Sequence, residues 1–287
     1  MNDERSLLDQ ALAFAEERQI TLPVFSDVAR KVQKASGEER YDISEIERLI
    51  ESDPALVAEV LRAANSAFFG GLSEVSSIRA AVLRLGLQRV ANLVFLASEK
   101  SRYTARHPEI AGLMHDLWHH ASACALAAEW ISRKARFPQH GETVFIGALV
   151  HDIGKLFLLR VLDEMAREPR HVGAVSADLV REVIDNAHPE VGYRLLLSWH
   201  LPDVFQTIVR DHHVEVPDPA NIPLQIVRLA NQACNKVGIG LRLQPDLILA
   251  ATREAATLRM PEIAVAELEI ILEDVMAQSV AAALAVG

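Results

Sequence analysis

The chain has 287 residues and half of them are hydrophobic, so it can bury a sizeable core as one large domain or two closely packed lobes. Its formal net charge is −10, and its 29 lysines and arginines are scattered rather than gathered into a stripe, which argues against a nucleic-acid partner. No stretch approaches the ~18 apolar residues of a membrane span and the N-terminus lacks a signal-peptide pattern, so we expect a cytoplasmic protein with no membrane partner.

Helix signals are plain in the first hundred residues. Aromatic residues make up only 5% of the chain and aliphatic residues dominate, a balance that favours helices over sheets. In the stretch SDPALVAEVLRAANSAFFGG, Asp53 stands where a helix N-cap is expected and Pro54 follows at the first helical position. Gly70 and Gly71 are predicted to end this segment. The sequence therefore predicts an all-α fold.

Similar signals continue along the rest of the chain. The stretch SIRAAVLRLG, which ends at Gly86, repeats the three-to-four spacing of apolar residues. The segment RYTARHPEI, with Pro108, interrupts that pattern, so we expect an N-terminal helical lobe at residues 1–108 packed on a second helical lobe at residues 109–287. Further helical segments are predicted to begin near Leu113, Thr143, Asp178, Pro189 and Pro202, followed by PLQIVRLANQACNKV and two C-terminal stretches.

The two cysteines carry little sign of redox chemistry. Cys124 and Cys234 form no C-x-x-C motif, and each lies in an Ala-rich helical segment where a small apolar side chain suffices. We expect both thiols to be packing residues.

The stretch GALVHDIGKLFLL places charge inside an apolar run. An unpaired carboxylate among such residues costs several kcal/mol or neutralises itself, so His151 and Asp152 need a partner. On a continuous helix, Asp152 shares its face with Leu149 and Leu156, and His151 lies about 100° round the same helix. Both side chains can therefore converge on one point.

Other histidines also fall on predicted apolar helix faces. They are His120, His188, His212 and His213, which with the pair at 151 and 152 make five imidazoles and one carboxylate. Taken singly, a core histidine is usually satisfied by its neighbours, and that alternative stays open for each of them. Six buried polar groups that need partners at the same time are better explained by one shared metal site.

The ligand types indicate which metals are suitable. Mixed imidazole and carboxylate ligands favour Mn, Fe, Co, Ni or Zn and disfavour Ca. Six ligands suit one octahedral ion or two ions bridged by Asp152, an arrangement that activates water against a phosphoester. Lys155 comes one turn after His151, where its ammonium can reach a bound phosphate. The alternative for Lys155 is a solvated lysine with its stem along the core.

These residues resemble the metal ligands of the HD superfamily of phosphohydrolases. The stretches LWHHASACALAAEW, GALVHDIGKLFLL, HPEVGYRLLLSWHLPDVFQTIVRDHH and IVRLAN resemble successive segments of its HDOD branch. An additional N-terminal region of that branch resembles LPVFSDVARKVQKAS, LIESDPALVAEVLRAANSAFFGG and SSIRAAVLRLGLQRVANLV. The resemblance covers roughly Leu22 to Asn231 and implies an all-α bacterial signalling module.

Two departures from the HD pattern bear on activity. The resemblance implies a terminal aspartate ligand, and Asn231 stands there instead, so one negative charge is lost. An amide oxygen can still ligate a metal, while the alternative is that Asn231 is only a polar residue at the core edge. The GYP continuation of cyclic-di-GMP phosphodiesterases is also absent, because LFLLRVL follows Lys155.

Three functions are compatible with this pattern. The first, which we favour, is an HDOD-type regulatory module that retains a divalent metal site and engages signalling proteins or a small phosphorylated ligand. The second is an active metal-dependent phosphohydrolase of nucleotides or cyclic nucleotides, in which Asp152 and Lys155 take part in catalysis. The third is a purely structural metal that clamps helices together.

Overall fold

The predicted all-α fold is confirmed. The structure, a computed structural model, describes residues 6–22, 31–32, 43–66, 69, 74–168 and 176–284, and no strand occurs among them. The helices are α1 (Leu7–Glu17), α2 (Ile43–Glu51), α3 (Pro54–Ala64), α4 (Ile78–Leu85), α5 (Leu87–Glu99), α6 (Pro108–Lys134), α7 (Gly141–Val150), α8 (Ile153–Met165), α9 (Ala177–Ser198), α10 (Asp203–Asp211), α11 (Ile222–Val237), α12 (Arg253–Thr257) and α13 (Glu262–Leu284). No helix among these described residues is long and apolar enough to cross a membrane.

The helices belong to two compact units. The first comprises Met1–Pro23 and Tyr103–Glu269, and the second comprises Val24–Arg102 and Ile270–Gly287. The sequence suggested a single boundary after residue 108, which differs from this division. The main reason is α1, whose apolar face packs into the core of the first unit.

In the second unit, the start of α3 agrees with the sequence prediction. Oδ1 of Asp53 accepts hydrogen bonds from the backbone N–H groups of Ala55 (2.9 Å) and Leu56 (3.4 Å), and Pro54 is the first helical residue. The predicted end of this segment at Gly70 and Gly71 lies outside the described residues.

The core of the first unit is built from aliphatic side chains of α1, α6, α8 and α9. Ile110 and Met114 from α6, Leu158 and Leu162 from α8, and Ile184 from α9 are all fully buried. A core of this kind holds the helices in fixed positions. It therefore fixes the positions of the polar side chains that these helices carry.

The helix α9 runs through a proline, whereas the sequence predicted separate helices from Asp178 and Pro189. Pro189 has no N–H to donate to the carbonyl of Asp185, and the imidazole of His188 takes that place. Nδ1 of His188 donates to the carbonyls of Ile184 (2.7 Å) and Asp185 (3.1 Å). The side chain thus replaces a helical hydrogen bond, and the helix continues.

Candidate metal centre

His151 and Asp152 lie in a break between two helices. The sequence predicted one continuous helix here, but α7 ends at Val150 and α8 begins at Ile153. Asp152 leaves the helical conformation, with φ −102° and ψ 18°, and becomes the residue that precedes α8. Both side chains are buried, at 0% and 3% exposure. The break therefore brings an imidazole and a carboxylate into the core together.

A glycine allows the next helix to approach this break. A Cβ atom on Gly154 would lie 2.0 Å from the carbonyl oxygen of His188 and 2.8 Å from the backbone nitrogen of Gly192. Only hydrogen at this position permits so close a contact between the backbones of α8 and α9. The contact places His188 beside Asp152.

The carboxylate of Asp152 lies between two pairs of imidazoles. Its Oδ1 is 3.2 Å from Nε2 of His188 and 3.4 Å from Nε2 of His212. Its Oδ2 is 3.5 Å from Nε2 of His151 and 3.7 Å from Nε2 of His120. Five of the predicted ligands, on four segments of the chain, therefore converge on one point.

The four imidazoles all turn the same nitrogen toward the carboxylate. The Nδ1 atoms donate to backbone carbonyls, with distances of 2.8 Å for His120 to Ile239, 2.6 Å for His151 to Ala148, 2.7 Å for His188 to Ile184 and 2.8 Å for His212 to Val209. A carbonyl oxygen only accepts hydrogen bonds, so each Nδ1 carries a proton. In a neutral ring, Nε2 then presents a lone pair, as it does in histidines that ligate metals.

The arrangement of these atoms fits a divalent metal. The Nε2 atoms of His188 and His212 face each other at 3.2 Å, and two lone pairs at that distance repel. Nε2 of His151 and Oδ1 of Asp152 are buried and have no hydrogen-bond partner in the structure. A buried acceptor without a donor is costly, and bound metal would supply the missing partner.

Burial sets the charge states that metal binding requires. Burial lowers the pKa of His120 and His188, and it lowers the pKa of His151 well below its ordinary value, so these rings favour the neutral form. Burial alone would raise the pKa of Asp152, but the nearby Lys155 ammonium holds it well below its usual range. The centre therefore combines these three neutral imidazoles with an ionised carboxylate.

The other two predicted ligands are His213 and Asn231, and they differ from the four imidazoles described above. His213 is exposed, so the prediction of a buried imidazole is wrong there. α10 ends at Asp211, and the turn that follows buries His212 while leaving its neighbour on the open side. The ring centroids of the two histidines lie 4.1 Å apart. Asn231 is buried on α11, and its Oδ1 accepts a hydrogen bond from Nδ2 of Asn235 at 2.9 Å.

A small cavity adjoins the carboxylate. Its volume is about 10 Å³, close to the minimum that one water molecule or ion occupies. It is lined by Leu117, His120, Asp152, Lys155, His213, Asn231, Asn235, Leu241 and Arg242. Lys155 is only 4% exposed and donates through Nζ to Oδ2 of Asp152 at 2.8 Å. Its ammonium is therefore part of the centre, and the alternative of a solvated lysine is wrong.

Cys124 is a donor that the sequence did not suggest as a ligand. Its Sγ lies 3.6 Å from Nε2 of His120, one helical turn earlier on α6. The donors form two groups, one of Asp152, His188, His212 and His213 and the other of His120, Cys124 and His151. The four-residue spacing to His120 was the available signal, but it also suits a packing cysteine.

Two further residues hold the candidate ligands in place and were not found from the sequence. Nη1 of Arg228 donates to the carbonyl of His212 at 2.8 Å, and its Nε donates to Oε1 of Glu254 at 2.7 Å. Gly240, at φ +115°, lies so close to His120 that a Cβ atom would be 2.7 Å from the histidine Cβ. Both contacts join distant parts of the chain, so no local sequence pattern predicts them.

An HDOD domain model matches residues 22–215, which is more than half of the chain. The chain belongs to the HDOD family. This confirms the family that the sequence resembled. This HDOD protein is also 25% identical over 197 residues to an uncharacterized protein from Treponema pallidum (strain Nichols). That match covers 67% of this chain and 37% of the relative, so the HDOD chain spans little more than a third of its length.

Solved structures share the fold of this HDOD chain. An HDOD domain protein with unknown function from Geobacter sulfurreducens has a TM-score of 0.66 and 22% identity, covering 95% of this chain and 96% of that chain. A protein from Shewanella amazonensis SB2B, provisionally named a metal-dependent phosphohydrolase, has a TM-score of 0.60 and 19% identity, covering 93% and 98%. At these identities the likeness establishes the fold.

Proposed function

We propose that this HDOD protein is a bacterial, cytoplasmic signal-transduction module whose core holds a divalent transition metal. The proposed ligands are His120, His151, Asp152, His188 and His212, with His213 and Asn231 beside them. The observation that carries the proposal is the 3.2 Å contact between the Nε2 atoms of His188 and His212, whose Nδ1 atoms are both committed to carbonyls. A cation is the simplest partner for two such lone pairs.

Three features favour regulation over catalysis. The cavity beside Asp152 holds about one small molecule or ion, so a phosphoester substrate needs a rearrangement to enter. The ammonium of Lys155 already occupies Oδ2 of Asp152. Asn231 supplies a neutral amide where the resemblance implies a carboxylate, so the site has one negative charge fewer to attract a metal cation. We infer that metal binding and a small phosphorylated ligand or a signalling protein govern the output of this module.

A metal-dependent phosphohydrolase is the second candidate function. The positions of the two carboxylate oxygens of Asp152 favour it. Each carboxylate oxygen faces a different pair of imidazoles, so these side chains would offer donors to more than one ion. Mn, Fe, Co, Ni or Zn suits the mixed nitrogen and oxygen donors, and when bound such ions supply Lewis-acid chemistry. If the protein is such an enzyme, the ammonium of Lys155 breaks its hydrogen bond to Asp152 and binds the phosphate of the substrate.

The two candidates separate in one comparison. The purified protein is supplied with Mn²⁺, Fe²⁺ or Zn²⁺, analysed for bound metal, and assayed on bis(p-nitrophenyl) phosphate and a nucleotide panel beside Asp152→Ala. We expect the wild type to retain metal without turnover above the variant. Turnover that the variant loses supports the phosphohydrolase and contradicts a purely regulatory role. A wild type that retains no metal contradicts both.

A further inference from the structure

Arg242 stands at the edge of the cavity that adjoins the metal ligands. It follows Gly240 and Leu241 in the loop after α11, and it lines the cavity with Lys155. Its side chain is 38% exposed, so it faces both the cavity and the solvent. An anion bound at this edge of the cavity would lie beside the guanidinium.

A carboxylate on α9 holds Arg242 loosely. Nη2 of Arg242 lies 3.4 Å from Oδ2 of Asp185, whereas a charge-assisted hydrogen bond is usually about 2.7–2.9 Å long. The other oxygen of Asp185, Oδ1, is buried without a hydrogen-bond partner. Partly exposed pairs of this kind contribute little to stability. The guanidinium can therefore leave Asp185 at small cost.

The neighbouring cation is held more tightly. Nζ of Lys155 lies 2.8 Å from Oδ2 of Asp152 and is buried. Among the residues that line the cavity, Arg242 is thus the cation with the looser carboxylate partner. A guanidinium presents a fork of N–H donors that matches two oxygens of a phosphoryl group. Its position at the cavity edge is suited to that task.

We propose that Arg242 recognises a phosphoryl group of the ligand, exchanging Asp185 for the ligand's oxygens. The proposal rests on the proposed function, because it concerns the ligand of the metal-holding module. Asp185 also accepts a hydrogen bond from His188 through its backbone carbonyl. The exchange therefore takes place within one helical turn of a proposed metal ligand.

The test is calorimetric titration of the Mn²⁺-loaded protein with inorganic phosphate, with bound metal measured in parallel. We expect Arg242→Gln to weaken phosphate binding by about 10- to 100-fold, as the loss of a charged hydrogen-bond donor implies. Arg242→Lys retains part of the affinity because it keeps the charge. Arg194→Gln is the matched control, since Arg194 is an exposed arginine paired with Glu190 on the same unit.

A second variant tests the exchange in the opposite direction. Asp185→Asn frees the guanidinium, so phosphate binding should tighten by about two- to fivefold, the range that a partly exposed ion pair allows. Equal phosphate affinity of Arg242→Gln and wild type overturns the proposal, and so does a metal-loaded wild type that binds no phosphate. If Arg242→Gln fails to fold, unchanged affinity in Asp185→Asn overturns it. A wild type that binds no metal refutes the proposed function instead.

Discussion

The Nε2 atoms of His188 and His212 lie 3.2 Å apart, and the Nδ1 atom of each ring donates to a backbone carbonyl. Neither ring can donate to the other through Nε2 while it is neutral. Burial lowers the pKa of His188, which disfavours a proton as the bridge. A metal bound between the two Nε2 atoms is therefore the partner that best suits both rings.

Removal of one imidazole should weaken metal binding strongly. His188→Gln keeps a side chain of similar size but replaces the imidazole by a weaker amide ligand, so we expect metal affinity to fall by about 100-fold or more. Competition with a chromophoric chelator measures the change. His140→Gln is the control, because His140 lies in a 3-10 turn outside the cluster. Equal losses in both variants would show that the effect is not specific to the centre.

Metal removal should lower thermal stability. A ligand present at about 100 times its dissociation constant stabilises the folded state by about 2.7 kcal/mol, which corresponds to roughly 4–5 °C in melting temperature for a chain of this size. We expect excess chelator to cause a shift of that order and added Mn²⁺ or Zn²⁺ to reverse it. Differential scanning calorimetry measures both steps. A melting temperature that ignores chelator and metal would count against the centre.

The contact between α8 and α9 should not tolerate a methyl group. Gly154→Ala places a Cβ atom 2.0 Å from the carbonyl oxygen of His188, so the helices must separate. We expect a loss of at least about 3 kcal/mol in the free energy of unfolding, together with weaker metal binding. Urea denaturation and metal analysis measure the two effects.

Gly112→Ala is the matched control for that substitution. Gly112 is an exposed glycine of α6, and a Cβ atom there meets nothing within 4 Å. Alanine favours helices over glycine by up to about 1 kcal/mol, so this variant should be more stable than the wild type. A Gly154→Ala variant as stable as Gly112→Ala would refute the close approach of the two helices.

The pair of Arg228 and Glu254 should make stability depend on pH in a definite direction. Burial alone would raise the pKa of Glu254, but hydrogen bonds from Arg228 and Gln232 lower it below its ordinary value. A carboxyl with a lowered folded-state pKa contributes stability that is present above the unfolded value near 4.3 and is lost as pH falls through the folded value. The stability that this pair contributes at pH 7 should therefore disappear in acid.

Glu254→Gln isolates that contribution. The free energy of unfolding of the variant should be lower than that of the wild type at pH 7, and the difference should shrink between about pH 5 and pH 3. Urea denaturation at several pH values measures it, with Glu215→Gln as an exposed control. Because Arg228 holds the carbonyl of His212, we also expect the variant to bind metal more weakly. A difference that grows toward acid pH would reverse the assigned sign.

The sequence predicted which polar residues cluster in the core better than it predicted their surroundings. His120, the pair at 151 and 152, and His188 and His212 were found because polar residues on apolar helix faces need partners. That inference needs no knowledge of how the helices pack. All five now lie within one cluster around the carboxylate of Asp152.

Details that depend on packing could not be read from local pattern. The break at Asp152 follows an apolar run that suits a continuous helix. Pro189 suggests a helix start from the sequence, but in the structure the imidazole of His188 supplies the hydrogen bond that its missing N–H cannot make, and the helix continues through it. The support that Arg228 gives His212 and the close approach of Gly240 to His120 join residues far apart in the chain. Such contacts are specified by the tertiary structure, so a sequence window does not contain them.

The most direct test of the account is the position of the metal itself. Crystals grown with Mn²⁺ can be measured above and below the manganese absorption edge, and an anomalous difference map then locates the ion. We predict a peak between Oδ1 of Asp152 and the Nε2 atoms of His188 and His212. A map without a peak there, while the two rings keep their hydrogen bonds to Ile184 and Val209, would contradict it.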